Sequence, residues 1–314
     1  MWSRRAFLAA AVPARPTLTK RMEQVMGEFP RRPRGPLEVE KSAPVDAGRH
    51  ERIKLSYLSE AGDRVPAYLL IPHGLRGRAA AVLCLHQTTH IGKDEPAGLG
   101  GKPNLHYAAE LADRGFVTLA PDYPNFGEYQ FDPYAHGYAS TTMKAIWNHS
   151  RGVDLLASLP QVRKDAIGCI GHSLGGHNTL FLGSFDLRVR AMVTSCGFTS
   201  FRKYMQGDLT GWSHKGYMPR IAELYGKDPA RMPFDFPELL VALAPRAVFV
   251  NAPLRDANFD VGGVRECVAA YRGKHLQAVY PDAEHDFPLD ARKQAYRFLE
   301  RYFRMRVDSD PNFL

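Results

Sequence analysis

The stretch Gly171-His172-Ser173-Leu174-Gly175-Gly176 lies between a short apolar run at 166–170 and a segment at 177–182 that can form a helix. The apolar run is typical of a buried strand. In the order strand, Gly-x-Ser-x-Gly, helix, the serine lies on a very tight turn where a Cβ on either glycine would clash. The first helical N–H groups then point toward the Ser173 hydroxyl. The stretch predicts a nucleophilic serine; the structural alternative is a glycine-rich turn with an incidental serine.

A serine hydroxyl needs a base and a group that orients the base, and after this kind of turn the order is serine, acid, histidine. His285 follows the last predicted strand, at 276–280, in a loop from which its imidazole can reach Ser173. The alternative is a surface-loop histidine. The acid should follow the strand predicted at 246–251. Asp256, inside that loop, is the preferred acid, and Asp260 is the second candidate because it begins a helix, where Asp often serves as N-cap.

An oxyanion formed during acyl transfer needs two hydrogen-bond donors. We predict the backbone N–H groups of Leu174 and Gln87, the latter in the loop His86-Gln87-Thr88-Thr89-His90 after the strand at 79–85. The alternative is a polar loop that only links a strand to a helix. His86 and His90 have the spacing of a zinc pair, but Gln87 cannot act as the base of a metalloprotease helix, so we predict no metal. His172 and His177 flank the turn and are interpreted as packing or polar support.

From residue 79 onward, apolar strands alternate with helical segments. Strands are predicted at 79–85, 116–120, 166–170, 189–196, 246–251 and 276–280, and helices at 105–114, 140–159, 261–271 and 292–303. Strands at 52–58 and 65–71 precede them as an antiparallel hairpin, and Pro66 predicts that the second lies at an edge or begins past the proline. The alternation predicts an α/β fold with a doubly wound, mostly parallel sheet.

Three regions depart from this rhythm. Residues 1–50 are predicted to be a leader and basic arm; the part at 13–50, rich in Pro, Arg and Lys, is expected to wrap the body, with one amphipathic helix near 18–26. Residues 51–305 form the predicted catalytic domain, and 306–314 a tail. Within the domain, residues 197–235 are predicted to be an aromatic-rich insertion that forms a pocket wall, the alternative being an ordinary packed excursion.

Charge is concentrated near the amino terminus. The net charge is +8, of which residues 1–54 supply +6 through 12 Lys/Arg and 6 Asp/Glu. The rest of the chain has a net charge of only +2, which argues against nucleic-acid binding by the predicted catalytic domain. We interpret the basic segment as a solvated arm. No apolar segment approaches the ~20 residues of a membrane-spanning helix. The four cysteines lack metal-ligand spacing and are predicted to be reduced and structural.

The segment Ser3-Arg4-Arg5-Ala6-Phe7-Leu8-Ala9 resembles a twin-arginine export signal. The apolar residues that follow, 6–12, are at the short limit of the hydrophobic region of a signal. We predict a periplasmic or secreted protein; the alternative is a cytoplasmic chain with a frayed, basic start.

Three motifs in order resemble the α/β-hydrolase superfamily: GHSLGG at 171–176, PLRDANFD at 253–260 and EHDF at 284–287. Within it the chain resembles the branch of dienelactone hydrolases and acetylxylan esterases, over roughly residues 50–305. The resemblance implies a Ser173–Asp256–His285 triad, no cofactor and hydrolysis through an acyl-enzyme. Dienelactone hydrolases carry Cys where this chain has Ser173, which argues against their particular substrate. The HGGG loop of many lipases is absent, which argues against bulky lipid substrates.

The sequence thus predicts a serine carboxylic-ester hydrolase that acts on a small-molecule or carbohydrate ester, for example as a deacetylase of acetylated carbohydrate. Two alternatives stay open at this point. One is a serine peptidase on the same fold, although no acidic cluster for binding an amine is visible. The other is a non-catalytic binding module, against which the order serine, acid, histidine argues.

Overall fold

A computed structural model describes residues 15–305 of the chain. The predicted export segment at 3–9 and the predicted tail at 306–314 lie outside the described residues. The helices are α1 Arg15–Met26, α2 Tyr107–Asp113, α3 Thr141–Ser158, α4 Leu174–Phe185, α5 Arg220–Glu223, α6 Phe236–Leu243, α7 Val261–Ala270 and α8 Leu289–Tyr302. The strands are β1 Glu40–Lys41, β2 Val45–Asp46, β3 His50–Glu60, β4 Asp63–Pro72, β5 Ala79–Leu85, β6 Val117–Pro121, β7 Val162–His172, β8 Val189–Ser195, β9 Ala247–Asn251 and β10 Leu276–Val279.

These strands form one sheet in the order β1-β3-β4-β6-β5-β7-β8-β9-β10, with β2 paired to β3. Strands β5 to β10 run parallel, whereas β1 to β4 pair antiparallel with their neighbours. The predicted doubly wound, mostly parallel sheet is therefore confirmed. The carboxyl ends of β5, β7, β8 and β9 meet at one edge, which is where such sheets place a site.

Each central strand supplies side chains to two separate cores, because successive residues point to opposite faces of a sheet. One face packs on α2 and α8 through Val82, Ile170 and Phe249. The other packs on α3, α4 and α6 through Leu83, Cys169 and Val248. Burial on both faces explains the continuous apolar runs that marked these strands in the sequence.

The prediction for Pro66 is wrong, because β4 lies between β3 and β6 and begins at Asp63. The strand tolerates the proline because of where the residue faces. The Pro66 carbonyl accepts from the Asp122 N–H, so its nitrogen faces the β6 side. The register with β6 runs from Ala67, opposite Pro121, so the proline lies at the end of this ladder, where only its carbonyl is bonded.

The amphipathic helix predicted near 18–26 is present as α1 and packs on the body, so the segment is not a solvated arm over this helix. Leu18, Met22, Val25 and Met26 are fully buried on the body of the protein. One of its cations is paired as well, since the Arg21 guanidinium lies 2.7 Å from the Glu238 carboxylate of α6. An amphipathic helix with a continuous apolar stripe is more stable against a core than in water. The domain boundaries themselves stay a prediction.

No helix in residues 15–305 is long and apolar enough to cross a membrane. All four cysteines are free and buried, with thiol pKa values that burial raises above the usual range at Cys84, Cys169, Cys196 and Cys267. They are buried and unpaired, as predicted for reduced structural cysteines, although the Cys196 thiol also contacts the Asp286 carbonyl.

Candidate active site

Ser173 lies alone between β7 and α4, with φ 52° and ψ −114°. A residue other than glycine rarely adopts this conformation, which costs about 1–3 kcal/mol. The turn closes through Gly171 and Gly175. A Cβ on Gly171 would overlap the backbone of Gly175, and a Cβ on Gly175 would overlap the Leu85 carbonyl at the end of β5. Both glycines of the motif are thus required by backbone contact.

We expect Gly175→Ala to lower the free energy of unfolding by about 1–3 kcal/mol or more and to reduce activity strongly, since the obstacle is a backbone carbonyl that cannot rotate away. Urea denaturation and steady-state kinetics measure both effects. Gly35→Ala is the matched control, because a Cβ there meets nothing within 4 Å. Equal stability of the two variants would contradict the tight approach of the turn to β5.

His285 and Asp256 meet at this edge of the sheet. The His285 Nδ1 lies 3.0 Å from both carboxylate oxygens of Asp256. The carboxylate is 1% exposed and the imidazole 20%. Burial alone would raise the pKa of Asp256, but the His285 contact and the backbone N–H groups of Asn258 and Phe259 outweigh it and lower that pKa. An ionised carboxylate at this position keeps the proton of a neutral imidazole on Nδ1 and leaves Nε2 unprotonated.

Asp260 occupies a different place. It is the N-cap of α7, and its Oδ1 accepts a hydrogen bond of 2.7 Å from the Gly263 N–H. An N-cap of this kind stabilises a helix by about 1 kcal/mol. Of the two acids considered from the sequence, the structure brings Asp256 to His285 and leaves Asp260 at the helix end.

Ser173 and His285 line one cavity of about 360 Å³. Its other lining residues are Gln87, Thr88, Leu174, His177, Tyr204, Gly211, Trp212, His214, Tyr217, Asn258 and Phe259. Between residues 15 and 305, no hydrogen bond joins the Ser173 Oγ to His285. Such bonds often tighten only when substrate binds.

The insertion at 197–235 supplies a wall of this cavity through five of the lining residues, from Tyr204 to Tyr217. The wall is tied to the opposite rim, where the Thr88 Oγ1 and Tyr217 Oη are 2.7 Å apart. Phe198 and Phe201, in contrast, are buried in the core. The aromatic residues of the insertion therefore divide between pocket wall and ordinary packing, so the two sequence interpretations each describe a part of it.

The predicted oxyanion donors, Leu174 and Gln87, both line the cavity beside Ser173. Leu174 is the first residue of α4, whose N–H groups point out of the helix. The Gln87 loop is braced by His86, whose Nε2 accepts from the Tyr123 N–H at 2.9 Å and whose Nδ1 contacts the Gln87 carbonyl. Burial lowers the pKa of His86, in keeping with a neutral ring. His86 thus shapes the loop, while His90 is exposed.

The two histidines that flank Ser173 are buried. The His177 ring packs against Trp212 at 4.7 Å between centroids, and burial lowers its pKa to about 3. The His172 Nδ1 lies 2.9 Å from the Ser195 Oγ, and its ring stands edge-on to His285 at 4.8 Å. Both rings are therefore neutral supports, in agreement with their interpretation from the sequence.

The sequence reasoning missed a polar cluster beneath His285. Asn251 ends β9 and Cys196 follows β8, and both side chains contact the Asp286 carbonyl. His172, Cys196 and His285 also bring two nitrogens and a sulfur within 4.8 Å of one another, the kind of group that could hold a metal ion. Their positions at the ends of predicted strands were the available signal, but chain spacing does not show which strand ends become neighbours.

Comparisons with known proteins show the family and the fold. The family model described as "Alpha/beta hydrolase family" matches residues 82–308. The chain is 32% identical over 166 residues to the 2,6-dihydropseudooxynicotine hydrolase of Paenarthrobacter nicotinovorans, covering 51% of this chain and 38% of the relative. The chain thus spans about two fifths of the length of the first curated relatives it matches.

Two of the solved structures with the same fold serve as examples. A glucuronoyl esterase from Solibacter usitatus superposes with a TM-score of 0.67 at 15% identity, covering 91% of each chain. Acetyl xylan esterase 1 from Thermoanaerobacterium sp. JW/SL YS485 superposes with a TM-score of 0.64 at 16% identity, covering 93% of this chain and 95% of the other. Since the family model matches most of the chain, the protein belongs to the alpha/beta hydrolase family.

Proposed function

We propose that this protein is a serine carboxylic-ester hydrolase that acts through an acyl-enzyme. Ser173 is the nucleophile, His285 the general base and Asp256 the residue that orients and stabilises the imidazole. The supporting observation is that a serine on a strained turn shares a cavity with an imidazole whose Nδ1 lies 3.0 Å from a buried carboxylate. Activation of a weak nucleophile requires this arrangement of residue types.

In the proposed reaction, the His285 Nε2 takes the proton of the Ser173 hydroxyl as the oxygen attacks the ester carbonyl. The backbone N–H groups of Leu174 and Gln87 stabilise the negative charge on the carbonyl oxygen. One such donor contributes about 3–4 kcal/mol to transition-state stabilisation. His285 then protonates the leaving alcohol, and the same base activates water to release the acid and restore Ser173.

The substrate class that we propose is a carbohydrate ester, with acetyl as the acyl group. Tyr204 and Tyr217 line the cavity with partly exposed aromatic rings, whereas Trp212 and His177 also line it but are only 2% and 3% exposed. Aromatic faces pack well on the apolar side of sugar rings and leave the hydroxyl groups for polar contacts. Two structural neighbours are named a glucuronoyl esterase and an acetyl xylan esterase, which supports this choice.

A panel of substrates tests the proposal: acetylated xylo-oligosaccharides, 4-nitrophenyl acetate, 4-nitrophenyl esters of longer acids and aminoacyl 4-nitroanilides. We expect the highest kcat/KM for acetyl esters and a decline with acyl length. Turnover of the amides above the esters would contradict the proposal in favour of a serine peptidase. Binding of esters without turnover would favour a non-catalytic module.

The proposed mechanism uses no cofactor, because the serine itself forms the covalent intermediate.

We propose that the catalytic domain spans residues 51–305 and follows the basic arm. Export through the segment at 3–9, with a periplasmic or secreted location, stays a prediction.

A further inference from the structure

The backbone carbonyl of Asp286, one residue after the proposed base, is held by two buried side chains. The Asn251 Nδ2 donates to it at 3.0 Å and the Cys196 Sγ at 3.3 Å. Asn251 is 1% exposed and Cys196 2%. Cys196 has φ 47°, a left-handed conformation that is costly for a residue with a Cβ. Two neighbouring strand ends thus converge on one carbonyl in the loop that carries His285.

The same amide also reaches toward the nucleophile. The Asn251 Nδ2 donates to the Ser195 Oγ at 2.9 Å, and that oxygen lies 2.9 Å from the His172 Nδ1. His172 immediately precedes Ser173 in the chain. The hydrogen bonds therefore form a continuous path from the residue before the proposed nucleophile to the residue after the proposed base.

The orientation of the Asn251 amide follows from its partners. Its two N–H groups face two oxygen acceptors, whereas its Oδ1 has no partner among the described residues. A flipped amide would place an oxygen against the Asp286 carbonyl and lose both donors. The amide is thus oriented so that both N–H groups donate, one to the Asp286 carbonyl and one to the Ser195 Oγ, and losing them would leave a buried carbonyl without this donor.

On this basis, and resting on the proposed function, we propose that Asn251 is a positioning residue of the esterase. Its amide fixes the Asp286 carbonyl and thereby keeps the His285 imidazole between Asp256 and Ser173. Cys196 is the weaker second anchor, because a thiol is a weak donor. A displacement of about 1 Å at a reacting group can cost about 10²-fold in rate.

Asn251→Leu, which keeps the approximate shape and removes both donors, tests the proposal. We expect kcat for 4-nitrophenyl acetate to fall about 10- to 100-fold while KM changes by less than about 2-fold. The rate of inactivation by diisopropyl fluorophosphate should fall by a similar factor. In that reaction a Ser173 Oγ–phosphorus bond forms, fluoride leaves, and the serine proton passes to His285, so the rate reports on the base.

Asn148→Leu is the matched control. Asn148 is an equally buried asparagine with one donor contact, 3.0 Å to the Tyr129 Oη, and one unpaired oxygen, but it lies in α3 away from the loop. We expect it to lower the melting temperature and to leave kcat and the inactivation rate unchanged. Should Asn251→Leu fail to fold, Asn251→Ala removes the same donors with a smaller side chain, and we expect the same loss. Cys196→Ala should lower kcat by a smaller factor than either Asn251 variant.

The outcomes separate this inference from the function on which it rests. If the wild type neither hydrolyses the ester nor reacts with the fluorophosphate, the proposed function fails and the positioning role fails with it. If the wild type does both and the folded Asn251 variants match it, only the positioning role is overturned. An equal loss of kcat in the Asn148 and Asn251 variants would likewise overturn it.

Discussion

Ser173→Ala is expected to lower kcat for 4-nitrophenyl acetate by about 10⁴- to 10⁶-fold, the loss typical of a triad nucleophile. The hydroxyl is the group that would form the acyl-enzyme, and no neighbouring nucleophile shares its position on the turn. The Ser173 backbone N–H donates to the Ser195 carbonyl at 2.8 Å, and alanine retains that bond. Loss of the hydroxyl removes no packing contact that holds the turn, so we expect the melting temperature to stay close to that of the wild type.

The matched control for this variant is Ser184→Ala, which removes a buried hydroxyl from α4, the helix that follows Ser173. Its Oγ donates to the Leu180 carbonyl at 3.2 Å, far along the helix from the turn. Intact-mass measurement of the acylated protein after rapid quenching adds a second readout, since the acyl adduct should form on the wild type and on Ser184→Ala but not on Ser173→Ala. Equal hydrolysis by wild type and Ser173→Ala would end the serine mechanism.

Asp256→Asn is expected to have the second largest effect, a loss of about 10³- to 10⁴-fold in kcat. An amide at this position presents an N–H group to the imidazole and favours the tautomer with the proton on Nε2, which cannot accept the serine proton. The variant also removes the negative charge that stabilises the imidazolium. The geometry should be preserved, because the two side chains have nearly the same shape.

Asp260→Asn provides the control, since it makes a comparable change four residues away. Asparagine is also a good N-cap, so we expect the stability of α7 to change by a few tenths of a kcal/mol and kcat by less than about 3-fold. Steady-state kinetics of the two variants, with melting curves for each, distinguish the roles. A larger loss of activity in Asp260→Asn would assign the acid to the other residue.

The parallel strands were predictable because their signal is local. A strand buried on both faces must be apolar along its length, and the runs at 79–85 and 166–170 show this without knowledge of their neighbours. The turn at Ser173 was predictable for the same reason. Its two glycines are needed because the tight turn of the motif leaves no room for a Cβ. Element ends were less accurate: α8 begins at Leu289, three residues before its predicted start, because Pro288 precedes it and suits a helix entry.

The position of β4 was not predictable from Pro66 alone. A proline excludes a ladder bond on one side of a strand, and whether a partner needs that bond depends on where the neighbouring strand begins. The docking of α1 was also not predictable from charge. Arg21 and its neighbours are basic in the sequence, but their counter-charges lie on distant elements such as Glu238.

By itself, the sequence determined the α/β alternation, the serine turn and the candidates for base and acid, because these follow from residue type, spacing and strand order. Only the tertiary structure decided that Asp256 rather than Asp260 faces His285, and that Asn251 and Cys196 share one carbonyl beneath it. The physical reason is that a hydrogen bond depends on distances of about 3 Å between side chains from separate strand ends. The packing of the whole sheet sets those distances, and chain spacing does not encode them.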